Sequence, residues 1–98
     1  MKFRHGLIEE EYKELTDQLY NDCQAGKISP NLLKEAFDLL YVVYGLIAAL
    51  GYDGDVVFER GHASNMSKLG EDGKPIYRDD GKVLKGPNYK PADMSDLV

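Results

Sequence analysis

The sequence has a single cysteine, Cys23, among its 98 residues. That excludes an internal disulfide framework, and a lone thiol fits a reducing cytosol. No apolar leader is visible: Met1-Lys2-Phe3-Arg4-His5 runs straight into an acidic stretch. Positive charge is also short. Twelve Lys and Arg face 17 Asp and Glu, a formal net charge of −5, which argues against a nucleic acid or an anionic membrane as partner. No apolar run reaches the roughly 20 residues that span a bilayer. Internal repeats, low-complexity segments, a Gly-rich phosphate loop, a Ser–His–Asp arrangement and a CxxC pair are all missing. The expectation is a soluble, cytoplasmic protein of one domain, residues 1–98, with one modest core.

What is present centres on a helix predicted from Pro30 to about Leu50. Ser29 is a good N-cap, Pro30 suits the first helical position, and Gly51 is a natural residue just past the end. From Leu39 to Tyr52 no residue is charged, and a helix so apolar around its circumference is normally buried on all sides. At about 100° per residue, Glu35, Asp38, Val42, Gly45, Leu46 and Ala49 share one stripe. Two carboxylates thus lie on a line of small, closely packing residues. Acids there are costly unless something neutralises them.

The first helix is expected from about Phe3 or Gly6 to Gln24. Leu7, Ile8, Leu15 and Leu19 form its apolar stripe, and Glu11, Glu14, Gln18 and Asp22 lie within or beside it. Glu9, Lys13 and Asp17 point the other way, as a solvated face would. An acidic run by itself is usually solvated surface. Here two pairs of acids, each three apart, lie on the inward stripes of successive helices, which favours a functional reading. The connection Gly26-Lys27-Ile28 is short, so the two helices should pack antiparallel.

A third helix is predicted from about Gly54 or Asp55 to Lys68, capped by Asp53 or Asp55. Asn65 and Lys68 share one of its faces, either as ordinary surface or as ligand contacts. His62 lies on another face and reads as structural or exposed. Ile76-Tyr77-Arg78 and Lys82-Val83-Leu84 flank Asp79-Asp80-Gly81, a hairpin signal. Gly86-Pro87-Asn88-Tyr89-Lys90-Pro91 reads as a stiff irregular segment, and the tail from Ala92 as a short turn or a frayed end. Lys74, Arg78, Lys82, Lys85 and Lys90 make this region basic, as a phosphate-facing flap or as a solvated cover. It is too short to be a domain of its own.

Glu11, Glu14, Glu35 and Asp38 would converge in one cleft between antiparallel neighbours. Oxygen-only ligands, without His or Cys, suit Mg²⁺, with Mn²⁺ as the alternative. Four such charges balance two divalent ions. The chemistry this implies is metal-assisted hydrolysis at a phosphoryl centre. Lys68 is then a counter-charge for phosphates, and Asn65 a hydrogen-bonding group for sugar or base.

These residues also carry a resemblance. Glu10-Glu11-Tyr12-Lys13-Glu14 and the later Glu35-Ala36-Phe37-Asp38 resemble the EExxE…ExxD signature of the all-α NTP pyrophosphatases. His62 to Leu69, Asp80-Gly81-Lys82-Val83 and Lys85-Gly86-Pro87-Asn88-Tyr89 resemble the MazG-like, phosphoribosyl-ATP pyrophosphohydrolase-like branch. The resemblance implies an all-α antiparallel bundle of about three helices, with a C-terminal hairpin, assembled as a homodimer or homotetramer. It implies Mg²⁺-dependent hydrolysis of a nucleoside triphosphate, or a related nucleotide, to the monophosphate and pyrophosphate. Glu11, Glu14, Glu35 and Asp38 would bind metal. Glu10 would support them or position water, and Asn65 and Lys68 would contact nucleotide, joined by Lys82 and Lys85 of the basic segment. Family members usually carry a further helix ahead of the first motif. The alternative is therefore a shortened, catalytically weak homologue that binds a nucleotide or a protein.

Overall fold

Helix α1 runs over Lys2–Ala25 and α2 over Pro30–Ala49. Both end where glycine permits a left-handed backbone: Gly26 at φ 65° and Gly51 at φ 91°. Contacts between them step backwards along α1 as they step forwards along α2. Asp22 meets Ser29 and Gln18 meets Asn31, Glu11 and Glu14 approach Glu35, and Arg4 lies beside Gly45. The pair is therefore antiparallel, as the short connection requires. A Cβ on Gly45 would meet the Arg4 guanidinium at 3.0 Å, so the glycine makes room for that side chain.

The computed structural model describes residues Met1–Val98 in two units, Met1–Gly51 and Tyr52–Val98. In the second unit α3 spans Gly54–Met66, and strands β1 (Ile76–Tyr77) and β2 (Val83–Leu84) pair antiparallel, Ile76 opposite Leu84 and Tyr77 opposite Val83. Of the two expected caps for α3, Asp53 is the one used: its carboxylate accepts the N–H of Asp55 at 2.9 Å. The helix stops two residues short of the expected end, and Lys68 lies in the following turn, its N–H donating to Asn65 O. The change of character near Gly70 falls inside this unit.

The tail neither frays nor floats. Arg60 holds the Asp96 carboxylate with both terminal nitrogens and donates to Asp93 O at 3.2 Å. Ser64 donates to Lys90 O at 2.9 Å, and the Lys90 N–H donates to Ser67 Oγ at 2.9 Å. Gly86 is pressed against the turn after α3, its N–H on Lys68 O at 2.7 Å. A Cβ there would meet Leu69 O at 2.3 Å, which only glycine avoids.

No apolar side chain is buried, whereas two acids are: Asp22 and Glu35 each keep 7% of their surface. The inward stripe of α2 is half-covered by α1. Its other side is bare within one chain, with Phe37 61% and Tyr41 69% exposed, beside exposed Leu33 and Leu40. Within Met1–Gly51, α1 covers the inward stripe of α2 and leaves these side chains uncovered.

Candidate metal centre

Three acids converge on the inward line between α1 and α2. Carboxylate oxygens of Glu11, Glu14 and Glu35 lie within 4.8 Å of one another. Glu35 is buried, Glu11 is partly covered and Glu14 is open to solvent. Oε2 of Glu11 and Oε2 of Glu35 are shut away from solvent with no hydrogen-bond partner. An unpartnered buried carboxylate oxygen is destabilising unless a cation or donor reaches it. The charge on Glu11, reinforced by burial and by Glu35, holds the Glu14 carboxyl above the usual carboxylate range. All donors in this set are hard oxygens, which fits a small divalent cation.

Asp38, the fourth expected ligand, stands outside this triad. Lys34, one helical turn earlier, holds its Oδ2 at 2.9 Å and reaches Glu35 Oε1 at 3.5 Å. The bond to Asp38 raises the Lys34 pKa, so the ammonium is a built-in counter-ion for this edge of the cluster. Glu10 is exposed and is not part of the triad.

Residues absent from the sequence-derived set surround Glu35. Asn31 Nδ2 donates to Glu35 Oε1 at 3.4 Å and to Gln18 Oε1 at 2.8 Å. Gln18 Nε2 donates to Asp22 Oδ1 at 2.8 Å and to Ser29 Oγ at 3.2 Å. Asp22 in turn accepts the Ser29 N–H at 2.7 Å. That backbone donor, with Gln18, holds the Asp22 carboxyl below the usual range. Ser29 occupies the expected N-cap of α2 but makes no side-chain cap bond; its hydroxyl lies within reach of Asp22. The i, i+4 spacing of Asn31 and Glu35 was the available clue.

In the second unit Asn65, on α3, and Lys68, in the turn after it, lie beside the same cavity. With Leu69, Pro75, Tyr77 and Val83 they line this space of about 400 Å³. Lys82 and Lys85 are not among its walls; Lys85 Nζ lies 5.0 Å from the Tyr89 ring centroid. Arg78 is engaged within the hairpin turn, bound through two nitrogens to Asp80.

The decisive comparison covers both acidic motifs. Residues 1–65 match the phosphoribosyl-ATP pyrophosphohydrolase (PRA-PH) family. The chain belongs to this family. A PRA-PH chain of this kind also has a solved structural relative, the crystal structure of a candidate NTP pyrophosphohydrolase from Exiguobacterium sp. 255-15. The two share 28% identity and superpose with a TM-score of 0.51, over 85% of this chain and 54% of the other. This chain thus spans about half the length of that protein. No curated protein matches the sequence.

Proposed function

We propose that the chain is a Mg²⁺-dependent nucleotide pyrophosphohydrolase, cleaving a (d)NTP or a related nucleotide between its α and β phosphates to the monophosphate and pyrophosphate. The observation that carries this is the triad of Glu11, Glu14 and Glu35, with two buried, unpartnered oxygens, in a member of the PRA-PH family. Glu11, Glu14 and Glu35 would hold the cation, and Asp38 would join once Lys34 lets go. When bound, Mg²⁺ or Mn²⁺ supplies positive charge for phosphate oxygens and for an attacking water. Glu10, on the same helix and solvent-facing, orients or deprotonates that water. Asn65 and Lys68 contact nucleotide at the cavity they line, Asn65 by hydrogen bonds and Lys68 by charge. Lys82 and Lys85 act as diffuse positive charge rather than as cavity walls.

The protein works as a homo-oligomer, a dimer or tetramer. Phe37, Leu40, Tyr41 and Leu33 form an exposed apolar face on α2, and such faces on soluble chains mark interfaces. The pI near 4.9 and the single thiol support a cytoplasmic protein that uses neither nucleic acid nor membrane as partner; no helix is long and apolar enough to cross a membrane.

Product analysis over a panel of NTPs and dNTPs tests the activity. Pyrophosphate with monophosphate is the expected outcome. Orthophosphate as the first product would overturn the reaction assignment, and binding without turnover would make the chain a nucleotide-binding homologue.

A further inference from the structure

The buried acid Asp22 and the buried acid Glu35 are joined by two side-chain amides, and the direction of every bond in that chain is forced. Asp22 can only accept, so Gln18 must turn its NH₂ toward it; the two amide hydrogens go to Asp22 Oδ1 and Ser29 Oγ. The Gln18 carbonyl oxygen then faces Asn31. Asn31 must offer its own NH₂, one hydrogen to Gln18 Oε1 at 2.8 Å and the other to Glu35 Oε1 at 3.4 Å. Reversing either amide would set oxygen against oxygen. The cationic side chain beside Glu35, Lys34, also reaches Oε1. Oε2 is left buried with no partner.

We infer that Gln18 and Asn31 are positioning residues: a hydrogen-bond relay anchored on Asp22 occupies Oε1 of Glu35 and keeps Oε2 available to a divalent cation. This rests on the metal reading of the Glu11–Glu14–Glu35 triad. Groups of this kind orient a ligating carboxylate, and removing one typically loosens metal about 10- to 100-fold. The polarity is a design constraint as well. An acid at position 31 would set oxygen against oxygen at both Gln18 and Glu35, and an apolar residue would remove the amide donor from Glu35 Oε1.

Mn²⁺ titration followed by electron paramagnetic resonance, well below the melting temperature, tests the inference without turnover. Asn31→Ala should weaken Mn²⁺ binding about tenfold or more, and Gln18→Ala should do so less. Ser64→Ala removes the hydroxyl that holds Lys90 O in the second unit; it should lower the melting temperature and leave Mn²⁺ affinity unchanged, separating positioning from mere stability. In the metal-free chain, the Asn31 side-chain amide signals should move in both Gln18→Ala and Glu35→Gln. Wild-type protein that takes up no Mn²⁺ would remove the metal centre and this inference with it. Wild type that binds, with Asn31→Ala binding within about twofold of it, would overturn the relay alone. Asn31 amide signals indifferent to both substitutions would overturn it equally.

Discussion

The two units are held together in opposite ways. In Met1–Gly51 the two buried side chains are acids, while part of the apolar surface of α2 faces solvent. Asp22, Glu35 and their amide partners occupy the line between α1 and α2, while Phe37 and Tyr41 face solvent. In Tyr52–Val98 the side chains act as staples on backbone. Arg60, Ser64 and Ser67 fasten the tail, and Gly86 lets two backbone segments touch. In the function proposed above, the first arrangement is completed by a cation for the acids and a second apolar surface for α2. The second also exposes apolar side chains, Phe58 and Tyr77 among them, but its fastenings lie within the unit.

The largest effect on that contrast should come from Gly86→Ala. The added methyl collides with the carbonyls of Leu69 and Lys68, which cannot step aside as a flexible side chain would. A loss of more than about 2 kcal/mol is expected, with amide exchange rising across α3 and the hairpin. Next, Phe37→Asp would place a charge on the bare side of α2. Sedimentation should shift from oligomer to monomer, while an unchanged oligomer would move the interface off this face.

Asp22→Asn should lower stability by weakening the cap on Ser29 and the grip on Gln18. Its sign with pH is set by the depressed carboxyl. Because the folded pKa lies below the unfolded value of about 3.9, the stabilisation is complete above that value and fades as pH falls through the folded one. Melting temperatures of wild type and Asp22→Asn should therefore converge in acid and separate toward neutrality. The smallest effect is expected from Lys34→Ala. Loss of the ammonium from Asp38 and Glu35 should tighten Mg²⁺ binding by a few-fold, read by calorimetry, since one positive competitor is gone.

Much of this was legible beforehand. Pro30, Gly51 and the Asp79-Asp80-Gly81 turn mark their elements by backbone chemistry alone, and acids three apart on an apolar stripe announced the cluster. Other features depend on pairings that sequence order does not encode. Asn31 looks like any polar residue in a first helical turn until Gln18, 13 positions earlier, is placed beside it. The Arg60–Asp96 fastening spans 36 positions, so the tail read as loose. Lys34 was a missed local signal. Its i, i+4 relation to Asp38 is visible in the sequence and marks the ion pair that the structure shows.

The central claim is that the inward acids of the first unit exist to hold a divalent cation. Thermal melts with and without Mg²⁺ test it most directly, since a ligand that binds only the folded chain raises its melting temperature. Wild type should melt distinctly higher with Mg²⁺, and Glu35→Gln should lose that increment while remaining folded. A wild-type melt indifferent to Mg²⁺ and Mn²⁺, or a Glu35→Gln variant that responds as fully as wild type, would contradict the account.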